Sequence, residues 1–264
     1  MHKFEQYKQN NVVELFGLGD GGTSVFVLNH DTRAGENVEE RVIRADSCRK
    51  YKSVTFTCHA QTKAGYLAVG RTDGGVALYD AVMQSEKANC VLDGTPGPVT
   101  SIDVAADGSM LVWTTPEFVY FSCPSPSHWL KGKHDGKPAV LQLRARAADY
   151  DAMLPWDPDE GEEGEGSEPP KPHWTPVKFD ATTARDEDGL REREIITYCG
   201  ATQLRWNVRQ ARAAWQKLAE DEAAPGHYDG VATTLGASVF QHMVVNDDCD
   251  VVALEEGIVK GLRF

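Results

Sequence analysis

Residues 65–80 read GYLAVGRTDGGVALYD, and their pattern decides how the whole 264-residue chain is read. Tyr66 to Gly70 is one apolar run, Val76 to Tyr79 is another, and Asp73-Gly74-Gly75 lies between them. Asp-Gly between two apolar runs predicts a hairpin, because both residues tolerate the positive φ of a primed turn. The second strand ends on an aromatic–acid pair, Tyr79-Asp80. Variants of this hairpin recur along the chain, which makes the stretch one copy of a repeat.

Outward from this copy, Val54 to Gln61 alternates as an inner strand and residues 88–94 supply an outer one. Upstream, residues 12–47 hold two strands around Gly21-Gly22 and a third in VEERVIRAD. Downstream, residues 99–123 read strand, Asp107-Gly108 turn, strand, Thr115-Pro116 turn, strand, and residues 139–146 fit an outer strand. A fourth unit runs through TPVKFDATT, EIITYCG and TQLRWNV, and a fifth through SVFQHMVVNDD, DVVALEEG and IVKGLRF. Five copies spaced by roughly 45 residues predict an all-β propeller of four-stranded blades over residues 1–264. A β-sandwich also has many short strands but does not repeat one blade-like unit this often.

Two insertions interrupt the period. Residues 154–172 hold seven acids (Asp157, Asp159, Glu160, Glu162, Glu163, Glu165 and Glu168) and no base between the first and the last. Gly, Pro and Glu cannot bury apolar surface, so a disordered acidic loop is expected there. Residues 208–224 are rich in Ala, Gln, Glu, Lys and Leu and predict a short helix ended by Pro225-Gly226. Its apolar stripe is Val208, Ala211, Trp215 and Leu218.

A net charge of −13 argues against a nucleic-acid backbone or an anionic membrane as partner, since either needs clustered Lys and Arg. The six cysteines (48, 58, 90, 123, 199 and 249) include no C-x-x-C pair and sit mostly in apolar runs. They read as small buried hydrophobes in a reducing compartment. The polar N-terminus lacks signal-peptide character and no apolar run approaches a membrane span, so a cytoplasmic chain is expected, with the nucleus as the other address.

Several chemical motifs fail on context. Gly17, Gly19 and Gly22 spell GxGxxG, but Thr23 to Leu28 reads as a strand where a dinucleotide site needs a helix. Asp157, Asp159, Glu163, Glu165 and Glu168 fall at calcium-loop positions, yet Glu162 stands where Gly is required and prolines flank the loop. The histidines lack zinc spacing, Ser127-His128 is only a sequence adjacency, and there is no nucleophile elbow. No catalytic, cofactor or metal residue is therefore assigned. Trp206 and Tyr79 read as core anchors. Trp129 and Trp156 lie in Pro- and Gly-rich loops beside charge, where an exposed aromatic serves as a partner contact, with packing inside the loop as the commoner alternative. With the acids of residues 157–168, they form the expected contact set.

LDGTPGPVTSIDVAADG (92–108) resembles part of a WD-repeat blade, with Tyr79-Asp80 and Trp206-Asn207 in place of the Trp-Asp pair. Together with residues 66–80 it is similar to the C-terminal WD-repeat-like domain of the vacuolar import and degradation protein 27 family, which includes the plant defective embryo and meristems proteins. The shared positions include Gly65, Tyr66, Gly70, Gly74, Asp80, Pro98, Asp103, Asp107 and Gly108, with further likeness in residues 25–33, 175–180 and 202–208. The resemblance carries over no catalytic residue and implies a loose link to vacuolar import and degradation. Family members carry N-terminal regions ahead of the propeller, whereas this sequence is expected to begin within it. A propeller short of blades is then expected to be open, or closed by residues 2–8 pairing with the last blade. The function expected is a non-enzymatic protein-interaction scaffold. The alternatives are a metal-dependent propeller hydrolase with a central-channel site, and a truncated fragment without function.

Overall fold

A computed structural model describes residues 12–31, 36–45, 54–80, 87–92, 95–132, 134, 136–153, 172–181, 191–221, 223–234, 242–245, 251–255 and 258–262. They divide into two compact units: residues 1–115 with 122–139, and residues 116–121 with 140–264.

Unit one begins with strands β1 (Val12–Gly19), β2 (Ser24–Asp31) and β3 (Glu36–Arg44), paired antiparallel in that order. The glycines 17, 19 and 22 belong to this hairpin and a strand follows them, as the sequence predicted. A second sheet runs β4 (Phe56–Gln61), β5 (Leu67–Arg71), β6 (Val76–Tyr79), β7 (Cys90–Leu92). All residues of β5 and β6 are buried, which is why they read as continuous apolar runs and do not alternate. One core cluster draws Val25, Val27 and Ile43 from the first sheet and Phe56, Leu67, Val69, Ala77 and Tyr79 from the second. A further hairpin, β8 (Ser101–Val104) with β9 (Leu111–Thr114), packs on β4 and β5.

The turn in the 65–80 stretch differs in detail from expectation. Arg71 N–H donates to Gly75 O at 3.0 Å and Gly74 N–H donates to Arg71 O at 3.3 Å, so the loop has three residues, Thr72-Asp73-Gly74. Gly74 holds φ 80°. Such a loop needs its left-handed residue last, where Gly carries no Cβ penalty. Asp73 Oδ1 accepts from Gly75 N–H, and Asp107 Oδ1 accepts likewise from Ser109 N–H, so each aspartate closes its own turn.

In unit two, β10 (Val119–Ser122) pairs antiparallel with β11 (Leu141–Arg144). A second sheet is built from β12 (Lys178–Ala181), β13 (Glu192–Cys199) and β14 (Thr202–Asn207), with an outer strand introduced below. Strands 242–245, 251–255 and 258–262 form a third, three-stranded sheet. All three predicted strands of that fifth unit are thus present.

Threonine pairs clip the same end of three sheets, where the first strand starts and the second finishes. Thr72 Oγ1 accepts from Thr55 N–H at 3.0 Å, Thr114 Oγ1 lies 2.7 Å from Thr100 Oγ1, and Thr197 Oγ1 donates to Thr175 O at 2.8 Å. The repeat is therefore carried by side-chain bonds as well as by strand pattern.

Candidate interaction site

The strongest departure from blade regularity lies where unit two leaves β14. Asn207 ends the strand, and its Oδ1 accepts from Gln210 N–H at 3.1 Å, capping helix α3 (Val208–Glu220), which follows α1 (Pro126–Trp129) and α2 (Ala147–Met153) in the chain. The Trp-Asn pair thus divides its work: Trp206 packs, and Asn207 starts a helix where a bond within the blade was expected. Val208 and Ala211 are fully buried, while Trp215 and Leu218 are half-buried, so the apolar stripe faces the sheet at its N-terminal end. At the other end Asp221 Oδ1 accepts from Ala223 N–H, and Pro225 turns the chain back.

The returning segment serves two sheets in succession. β15 (His227–Asp229) pairs parallel with Gln142 to Arg144 on β11, and β16 (Val231–Thr234) pairs antiparallel with β14. Gly230 joins them where the chain crosses the ring of Trp206; a Cβ there would stand 2.5 Å from ring atoms. Arg144 O accepts both Trp206 Nε1–H at 2.9 Å and Gly230 N–H at 2.8 Å. One carbonyl therefore ties a blade tryptophan to the strap that passes over it.

Between α3 and the strap lies a groove of about 380 Å³ lined by Gln210, Ala213, Ala214, Lys217, Ala224, Pro225, His227 and Tyr228. Four of these fall on one helix face at spacings of three and four, the arrangement that puts side chains in a row. The floor is small and apolar. Lys217 brings a positive charge, no carboxylate lines the groove among the described residues, and the Tyr228 hydroxyl donates to Gln210 Oε1. Burial raises the Tyr228 phenol above its ordinary value, with the Asn207 backbone bond and the charge of Arg146 acting the other way.

Nearby in unit two, Tyr120 is held higher still, at about 12, chiefly by burial and then by the charge of Glu117, with Arg144 opposing. A phenol raised in the fold keeps its proton longer than it does in the unfolded chain, so its contribution is complete below the ordinary value near 10 and is lost above it. The denaturation midpoint is expected to fall as pH rises from about 10 to 12. Tyr150, Tyr198 and Tyr228 act with the same sign. Chemical denaturation across this range checks the effect, and Tyr120→Phe should flatten the slope; an unchanged slope would contradict this assignment.

The sequence-derived contact residues fare differently. Trp129 is 1% exposed, on α1 and not on an open loop. Its Nε1–H donates to Gly108 O at 2.9 Å and its ring stacks on Tyr66 at 5.7 Å between centroids. Pro126 starts this short turn and Ser125 N–H donates to His128 Nδ1, which swings the tryptophan inward. Its expected role as an exposed partner contact is thereby corrected: it is a core anchor of unit one. Trp156, Asp157, Asp159, Glu160, Glu162, Glu163, Glu165 and Glu168 lie outside the described residues, as do residues 2–8. Tyr79 and Trp206 are buried, as predicted. Ser127-His128 forms no nucleophilic pair: His128 Nδ1 lies 2.6 Å from Ser125 Oγ inside the helix cap. Among the described residues no group of three or more His, Cys, Asp or Glu could hold a metal ion, and Cys58, Cys90, Cys123 and Cys199 are not in disulfides. No described helix is long and apolar enough to cross a membrane.

The groove itself went unread in the sequence. Its only local signals were Ala213-Ala214 opposite the apolar stripe and the Pro225-Gly226 reversal, both of which suit a solvated helix equally well.

Among protein families, the model described as the VID27 C-terminal WD40-like domain matches residues 2–219. No curated protein matches the chain. Among solved structures, the β-propeller domain of Cps50 (Swd1) from Myceliophteria thermophila superposes with a TM-score of 0.53 at 9% identity. The match covers 93% of this chain and 65% of the length of that one, and at such identity it speaks for the propeller fold alone.

Proposed function

The chain belongs to the VID27 C-terminal WD40-like domain family, and from that premise we propose that it is a non-enzymatic β-propeller scaffold on which other proteins assemble. A propeller spends most of its sequence on closing blades against one another, and recognition falls to the segments that leave the blades. One observation carries the reading: between two blade strands the chain inserts a capped helix and a strap, and the pair leaves an apolar groove with a single lysine open to solvent. By the family resemblance, the assembly it serves belongs to vacuolar import and degradation, with the chain acting in the cytoplasm or nucleus.

Affinity capture of the full chain from cells, with quantitative mass spectrometry, tests this reading. A small set of proteins at near-stoichiometric ratio to the chain is the expected result. The same capture with residues 154–172 deleted assigns the acidic segment: partners that need it should disappear selectively. A purified chain that carries stoichiometric calcium or zinc by elemental analysis, and brings no protein with it, would favour the hydrolase reading over this one.

A further inference from the structure

We propose that the 227–234 strap is a latch: it lifts as one unit while the sheets beneath it stay folded, and its lifting bares the edges of β11 and β14 together. The strap stands last in both strand orders, outside β11 in one sheet and outside β14 in the other, so its outer edge pairs with no described strand.

Burial supports a separate opening. From Gly226 to Thr233 only Gly230 is buried, and it has no side chain to bury; the others are half-buried or exposed. By contrast β13 buries every residue from Ile195 to Cys199, and β14 buries Leu204 and Trp206 completely. Apolar burial is the dominant favourable term in folding, so a segment poor in it depends on backbone bonds whose individual net worth is small. Gln142 N–H donates to Gly226 O at 2.9 Å, and Gly230 N–H donates to Arg144 O at 2.8 Å. On the helix side a groove stands where packing would otherwise be, and Tyr228 is tied to α3 by its hydroxyl on Gln210 Oε1. Few buried contacts and solvent-exposed backbone bonds mark the segments that open locally in native proteins.

Connectivity supports a concerted opening. β15 ends at Asp229 and β16 begins at Val231, so one residue links a strand paired parallel with β11 to a strand paired antiparallel with β14. That link is Gly230, and it is held from both sides. Its N–H bonds to Arg144 O of β11, and its backbone lies against the Trp206 ring of β14. Freeing either strand therefore undoes the anchor of the other. At three and four residues, neither strand is long enough to hold firmly alone.

Native-state hydrogen exchange of the full chain, read amide by amide by NMR at rising denaturant, tests the latch. The amides of Gln142 and Gly230 are the reporters, because the bond of each joins the strap to β11. They are expected to exchange through one shared opening that is easier than the unfolding that frees Tyr198 and the other β13 amides. That opening should depend little on denaturant, since it exposes little surface. Thr233→Gly weakens β16 alone, and Thr233 is exposed, so its replacement leaves the core untouched. It should raise the opening at both reporters by about fivefold, the span of strand preference converted to an equilibrium, although Gln142 sits in the other sheet. Tyr228→Phe, which removes the bond to Gln210, should speed the β16 amides in the same sense. Reporters that exchange only together with Tyr198, at its denaturant slope, would show that the strap never leaves the folded sheets and overturn the latch. A Thr233→Gly effect confined to residues 231–234, with Gln142 unmoved, would show that β15 and β16 open separately and overturn it as well.

Discussion

Trp206→Ala is expected to lower the free energy of unfolding by about 3–5 kcal/mol, the range for removing a large aromatic from a packed core. The side chain is fully buried, and its loss removes more than apolar area. Arg144 O would keep only the Gly230 N–H, and the strap would cross an empty space where the ring had been. Trp206→Phe keeps most of the fill and loses the indole donor, so a smaller cost of about 1–2 kcal/mol is expected. Coupling to the strap is open to a direct test. Gly230→Ala drives a Cβ into the Trp206 ring, and part of that clash should vanish when the ring is already absent. In a double-mutant cycle the double variant should therefore lose less stability than the sum of the two single losses; simple additivity would mean that the strap does not rest on the ring. Denaturant unfolding of the four proteins measures it. Because the strap also forms one wall of the groove, any loosening should weaken a groove ligand as well.

Gly74→Ala should come next in size. Its φ of 80° alone costs an L-residue about 1–2 kcal/mol. Space adds a second cost, because an added methyl would run into the backbone carbonyl of Thr95, with the Gly97 carbonyl 2.8 Å away. Backbone cannot rotate aside, and Thr95 Oγ1 donates to Gly74 O, which holds the two segments together. Overpacking of this kind costs a further about 1–3 kcal/mol. Gly136→Ala is the matched control: its φ is 85° and nothing lies within 4 Å, so it bears only the conformational part. Equal losses at the two positions would show that the 95–97 segment gives way. A clearly larger loss at Gly74 would show that this segment is rigid against the turn. The result bears on folding as well as packing, because Val99 N–H donates to Arg71 O just beyond the same turn.

The 65–80 stretch was legible because each of its residues answers to a local cause. Leu67 to Gly70 and Val76 to Tyr79 are apolar without alternation because both faces of the strands are covered, and Gly74 is glycine because the loop needs a left-handed residue. Such causes act over a few residues, and they repeat with the blades, so the sequence by itself determined the repeated blade strands and the family, while β15 and β16 of the strap carry no such signal. Trp129 shows where that reading stops. A tryptophan between prolines and serines looks exposed until Gly108, 21 residues away, provides its carbonyl and Tyr66 provides a face. The groove is a stronger case. Its two walls are a helix and a strand that no local pattern pairs, and the pairing depends on Arg144, 62 residues before Trp206, receiving both the indole and the strap. Strand and turn chemistry is written in nearest neighbours. A surface formed where the chain returns on itself is decided only by long-range hydrogen bonds and close packing, and those exist only once the fold has formed.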